Sequence, residues 1–169
     1  MDQAQQRTGA RALPADGKLR LTTWNMRGSQ RNWSYRRDLI EQTEPDIINI
    51  NELWRKKEIS GYTSYHTKDR DTATGKVNTS IFIKEGLRHT RIAAIDDENI
   101  IVIGIGKPIT TYVACIYMRC GDPGQNNRIK ERLKQVYSQI QSYSIGCNFF
   151  ITGDFNHPNP NCGVDQLIK

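Results

Sequence analysis

The chain has 169 residues, with 24 Lys+Arg against 18 Asp+Glu and a formal charge of +6. That length suits one domain with a real buried core, and the basic balance suits phosphate-bearing partners, in nucleic acid or in lipid head groups. The four cysteines, Cys115, Cys120, Cys147 and Cys162, make no CxxC pair and have no histidine at zinc-finger spacing, which excludes that metal class.

Free thiols in a reducing compartment account for these cysteines. The longest apolar run, Ile100 to Ile105, is far short of the roughly 20 residues a membrane span needs, and no basic-then-apolar leader opens the chain. The expectation is a soluble intracellular protein, nuclear or cytoplasmic, with no membrane partner. Residues 1–18 are polar and aperiodic around Pro14 and read as a flexible tail, leaving 19–169 as the domain.

Leu19, Leu21 and Thr23 alternate with Arg20, Thr22 and Trp24, a strand period that empties into Asn25, Met26, Arg27 and Gly28. Trp33 to Glu44 reads as a helix with Leu39 and Ile40 inward and Arg36, Arg37, Asp38 and Glu41 outward, closed by Pro45. The next strand, Ile47-Ile48-Asn49-Ile50, is apolar enough for burial on both faces and ends on Asn51 and Glu52. A right-handed strand–helix–strand crossover brings Asn25 and Glu52 to one edge of one sheet.

Glu58 to Lys76 is polar and turn-rich, a loop with a short strand near Tyr62 to His66, where His66 reads as a surface histidine rather than a proton carrier. Strand signals resume at Thr79–Lys84, Leu87–Ile95, Ile100–Ile105 and Thr110–Tyr117, and such consecutive short strands predict antiparallel neighbours. After Asp122-Pro123-Gly124, Asn126 or Asn127 is expected to cap a helix with Ile129, Leu133, Val136 and Ile140 on one face. Arg128, Lys130, Arg132 and Lys134 lie outside that stripe and read as a solvated face. Phe149-Phe150-Ile151-Thr152 then forms a buried strand that stops on Gly153, Asp154, Phe155 and Asn156. Helices between strands imply a layered α/β or α+β domain.

The collected strand ends are Asn25, Glu52, Tyr117, and Asp154 with Asn156. Acids among amides, without paired Cys or His, form a hard oxygen set that suits Mg²⁺ or Mn²⁺. Such a site handles phosphate: the cation polarises a phosphoryl oxygen, while a carboxylate and an amide hold the attacking water in line. Any one of these residues alone is no more than a polar group where a strand meets a loop.

In this order the set resembles the endonuclease/exonuclease/phosphatase superfamily. The residues that carry the resemblance are Thr23 to Met26, Asp46 to Trp54, Thr79 to Leu87, Tyr112 to Tyr117 and Phe150 to Asn156, spanning Leu19 to Asn156. Within it the chain looks most like the apurinic-like endonuclease domain of non-LTR retrotransposons. The resemblance implies a four-layer α/β sandwich of two mixed sheets flanked by helices. It also implies that Glu52 is the main metal ligand, supported by Asn25, that Tyr117 contacts the scissile phosphate, and that Asp154 activates the water with Asn156 beside it. Arg55, Lys56 and Lys57, directly after Glu52, suit a nucleic-acid backbone, although a solvated turn accounts for them about as well.

The sequence departs from the family pattern in three places. Asn51 stands where the family has Gln, and Lys76-Val77-Asn78 replaces a small-residue run. The late Ser-Asp-His block is absent, with His157 the last histidine. The expectation is therefore a domain whose C-terminal part is missing, with a sheet edge left unpaired. Three functions stay open: a Mg²⁺-dependent DNA-nicking endonuclease, with a reverse transcriptase module in the full-length protein; an inactive nucleic-acid-binding remnant; or a phosphatase of small phosphoesters or lipid head groups. Oligomeric state is not legible.

Overall fold

A computed structural model describes residues 17–27, 33–53, 55–71, 74–93, 97–143 and 146–156. The elements in chain order are β1 (Leu21–Asn25), α1 (Trp33–Thr43), β2 (Ile47–Leu53), β3 (Tyr62–His66), β4 (Asp69–Asp71) and β5 (Lys76–Lys84). They continue with β6 (His89–Arg91), β7 (Ile100–Gly106), β8 (Ile109–Tyr117), α2 (Pro123–Tyr143) and β9 (Asn148–Asp154). The tail expected over residues 1–18 and the segment around His157 fall almost wholly outside the described residues.

Two sheets form. The first has the order β1-β2-β5-β3 with β4 also on β5, and the second has the order β6-β7-β8-β9. Both are mixed, since β1 runs parallel to β2 and β9 parallel to β8 while the remaining pairs are antiparallel. Ile47, Ile81 and Ile83 of the first sheet pack on Ile101, Ile103, Ile105, Val113 and Cys115 of the second. Ile40 of α1 covers Ile48, Ile50 and Phe82 on the outer face of the first sheet. The stripe Ile129, Leu133, Val136 and Ile140 of α2 covers Ile100, Val102, Ala114 and Ile116 on the outer face of the second. The layers are thus helix, sheet, sheet, helix, as the resemblance implies. Each fully buried aliphatic side chain in them contributes about 1.5–3 kcal/mol.

Two local expectations are corrected and one is extended. Thr79–Lys84 and Leu87–Ile95 do not pair with each other. The first belongs to β5, beside β2 and β3, and the chain then crosses to the second sheet, where the strand among the described residues is His89–Arg91. Glu58–Lys76 carries the expected short strand as β3 (Tyr62–His66), and a second strand that was not expected, β4, also pairs with β5. The helix α2 is capped by Asp122, not by Asn126 or Asn127: Asp122 Oδ1 accepts from the Gln125 backbone N–H at 2.9 Å, with Pro123 in the first turn.

The faces turned between the sheets change character along the strands. On β2 they read Ile47, Asn49, Asn51, and their partners on β5 read Ile83, Ile81, Thr79. On β8 they read Val113, Cys115, Tyr117, and their partners on β9 read Phe150, Thr152, Asp154. Apolar at one end and polar at the other, the sandwich has its site built in at the polar end. β1 and β9 are edge strands that approach each other. Their apolar residues Leu21 and Phe150 are 38% and 54% exposed, so the core does not close over that edge among the described residues.

Candidate active site

The parallel pairs bring carboxyl ends together: Asn25 stands opposite Asn51 in the β1–β2 register, and Tyr117 opposite Asp154 in the β8–β9 register. Between the two sheets at this end lies an open pocket of about 310 Å³, lined by Thr23, Asn25, Arg27, Asn51, Glu52, Gly153, Asp154 and Asn156. A larger pocket of about 500 Å³ sits between α1 and residues 58–62, away from these strand ends. Among the described residues its acids Glu41 and Glu44 are drawn apart, to Arg37 at 4.0 Å and to Lys84 at 2.7 Å.

One amide organises the smaller pocket. Asn25 Nδ2 donates to Glu52 Oε1 at 3.1 Å and to Asp154 Oδ2, while Asn25 Oδ1 accepts from the Arg27 backbone N–H at 2.7 Å. The bond from Arg27 fixes which end of the amide faces the acids. The two carboxylates, expected as separate metal and water halves of a site, therefore converge on a single donor. Asp154 Oδ1 also accepts from the Asn156 backbone N–H at 3.0 Å, and Asn156 Nδ2 donates to the Met118 carbonyl at 2.6 Å.

Beneath them runs a buried polar ladder. Asn51 Nδ2 donates to Thr79 Oγ1 at 3.1 Å and to the Ile116 carbonyl at 2.9 Å, so it ties one sheet to the other. Asn49 Nδ2 bridges Thr23 Oγ1 and Asn51 Oδ1, both at 3.3 Å. Met26 is buried, and its backbone N–H reaches the Asn51 carbonyl at 2.9 Å.

The backbone is strained in the same place. Among the described residues the non-glycines at positive φ are Arg27 at 45°, Glu44 at 41°, Glu52 at 54° and Asn156 at 40°, and all but Glu44 line this pocket. Left-handed backbone costs an L-residue about 1–2 kcal/mol, and such outliers collect where geometry is held for a purpose. Gly153, at φ 139°, lets β9 press against β8: a Cβ there would lie 1.9 Å from the Ile116 carbonyl oxygen.

Asn25, Glu52, Asp154 and Asn156 thus share one pocket, and Tyr117 pairs beside Asp154 but is buried and not part of the lining. Arg55 and Lys56 are exposed just past β2, outside the lining. Lys57 sits with its Nζ 5.8 Å from the centre of the Trp33 ring. The sequence reading gave no role to Arg27, Thr23, Asn49 or Thr79. The available signal for Asn49 was a polar residue inside an otherwise apolar, doubly buried strand, which needs a partner.

No family model matches the chain, and no curated protein matches it significantly. Solved structures do. The endonuclease domain of TRAS1, a telomere-specific non-LTR retrotransposon, aligns with a TM-score of 0.64 at 16% identity, covering 84% of this chain and 61% of that domain. TDP2 from C. elegans aligns with a TM-score of 0.63 at 14% identity, covering 89% of this chain and 50% of that one. D. rerio TDP2 complexed with a single-strand DNA product aligns with a TM-score of 0.58 at 17% identity, covering 83% and 62%. The chain therefore spans between half and two thirds of the length of these structures. With its helix–sheet–sheet–helix layering, its register and these matches together, the chain has the fold of the endonuclease/exonuclease/phosphatase superfamily.

Proposed function

We propose that this chain is a metal-dependent phosphodiesterase acting on nucleic acid and, more finely, a DNA-nicking endonuclease of retrotransposon type. The observation that carries the reading is the pocket itself, where Glu52 and Asp154 are drawn onto the Asn25 amide between residues held in left-handed backbone. Neither carboxylate has an ion pair with a Lys or Arg among the described residues. Two convergent, uncompensated carboxylates among amides fit a hard divalent cation, Mg²⁺ or Mn²⁺. Glu52 and Asp154 would hold it, and when bound it supplies positive charge against a phosphoryl oxygen.

The chain's own groups account for the rest of the chemistry. The Asp154 carboxylate, fixed by Asn25 and by the Asn156 N–H, takes the proton of the attacking water as its oxygen bonds to phosphorus. The P–O bond to the leaving sugar oxygen then breaks, and that oxygen takes a proton from solvent water. Arg55, Lys56 and Lys57, just past Glu52, would hold the nucleic-acid backbone, in keeping with the +6 charge. The half-buried Cys147, buried Cys115 and exposed Cys120 are free, which favours work in a reducing compartment, the nucleus or cytoplasm.

The test is nicking of supercoiled plasmid in Mg²⁺ and in Mn²⁺, with EDTA and with Glu52→Gln. Both should abolish nicking. Nicking that survives either one would overturn the proposal, as would its absence with either metal.

A further inference from the structure

We propose that Arg27 is a phosphate-binding residue of this pocket, gripping a non-bridging phosphate oxygen of the nucleic acid. The inference rests on the phosphodiester reading above and adds a residue to it. Arg27 is the one cationic residue among the described pocket residues, sharing the lining with the carboxylates Glu52 and Asp154. It is exposed, and no described carboxylate pairs with it.

Its placement is enforced from both sides. The Arg27 N–H is held by Asn25 Oδ1 at 2.7 Å, and the preceding Met26 is buried with its N–H on the Asn51 carbonyl. The result is φ 45°, a conformation in which glycine or asparagine sits at little cost and arginine does not. A turn needing only that backbone would be better served by glycine, so the side chain has a reason to be there. The same Asn25 that gathers the two carboxylates thereby holds the Arg27 backbone, so the acids and the base are positioned through one residue.

A phosphodiester approaching the carboxylates Glu52 and Asp154 meets two negative charges in the same pocket. A guanidinium at the rim offsets them, and its planar fork matches two phosphate oxygens at once. Lysine would bring charge without the fork.

The experiment is fluorescence anisotropy of a labelled duplex oligonucleotide across a salt series. It is run in calcium buffer, for the protein as it stands, for Arg27→Met and Arg27→Lys, and for Lys134→Met on the solvated side of α2. Methionine keeps the Cβ and the backbone strain, so folding is not the variable. The proposal expects Arg27→Met to lower the slope of log affinity against log salt by about 1. Arg27→Lys should keep the slope and weaken binding several-fold, and Lys134→Met should change neither. An unchanged slope in Arg27→Met overturns the role of Arg27, and so does absence of measurable binding by the unaltered chain. A chain that binds with the expected slopes yet never nicks plasmid sinks the phosphodiesterase reading and leaves the Arg27 contact standing.

Discussion

Replacing Asn51 by leucine isolates the tie that holds the two sheets in register beneath the pocket. Leucine has nearly the same shape, so the change removes hydrogen bonds with little change in volume. Asn51 Nδ2 now satisfies the Ile116 carbonyl at 2.9 Å and Thr79 Oγ1 at 3.1 Å, and its Oδ1 accepts from Asn49. All of these residues are buried. The Ile116 carbonyl would lose its bond from Asn51, and Asn49 would keep only Thr23. A buried polar group left without a partner costs about 1–3 kcal/mol, and the added apolar contact returns part of that. The net loss should be about 2–4 kcal/mol, which a domain with about 5–15 kcal/mol of stability survives. Urea unfolding followed by tryptophan fluorescence should show the midpoint fall by about 1–2 M. In a double-mutant cycle, Thr79→Val should cost less on the leucine background than on the native one, because its oxygen has already lost its partner. An unfolding free energy within about 0.5 kcal/mol of the native value would refute the idea that this amide ties the sheets.

Three further outcomes are expected. Gly153→Ala places a methyl 1.9 Å from the Ile116 carbonyl oxygen and should push β9 off β8, giving a protein that is insoluble or melts many degrees lower; a native melting curve would remove the steric argument. Asn25→Asp replaces the donor between Glu52 and Asp154 with a third acid, so the metal-free protein should lose stability and Mg²⁺ should raise its melting temperature more than it raises that of the parent. Equal shifts would show that Asn25 does not separate the carboxylates. Burial pushes the Tyr62 phenol up to about 12, helped by the charges of Glu44 and Asp46, and its hydroxyl donates to the Pro45 carbonyl at 2.7 Å. Because the folded state favours the neutral phenol, the stability it adds is present below the unfolded value near 10 and is lost as pH rises towards about 12. A near-ultraviolet absorbance titration should lose one late-titrating tyrosine in Tyr62→Phe.

The layering was legible because burial leaves a period in the sequence. Ile47-Ile48-Asn49-Ile50 could be read as a doubly covered strand, and Ile129, Leu133, Val136 and Ile140 as one helix face, and each packs where its pattern requires. Sheet membership was less legible. The turn after Lys84 reads as a hairpin, but whether a strand folds back on its predecessor or crosses to another sheet depends on which edge is already taken, and β2 and β3 take both edges of β5. The Asp122 cap was readable in principle from Asp-Pro, since proline favours the first turn of a helix. Asn126 instead holds both the N–H and the carbonyl of Arg119.

At the pocket, strand ends were enough to gather Asn25, Glu52, Asp154 and Asn156, because parallel neighbours deliver like ends to one edge. Arg27 was not found, since its placement follows from a left-handed backbone and an amide two residues earlier, neither of which has a periodic signature. Asn51, noted only as standing where the resembled family has glutamine, also ties the two sheets: its shorter amide spans from β2 to the β8 carbonyl of Ile116.

The central claim is that Glu52 and Asp154 form one cation site at the polar end of the sandwich. Titrating isotopically labelled protein with Mn²⁺ tests it most directly, because the paramagnetic ion broadens resonances near where it binds. The account predicts that substoichiometric Mn²⁺ first erases the Asn25 side-chain amide and the Asn156 backbone amide, that α2 and β6 keep their signals, and that Glu52→Gln removes the effect. Broadening centred elsewhere, or unchanged by Glu52→Gln, would contradict it.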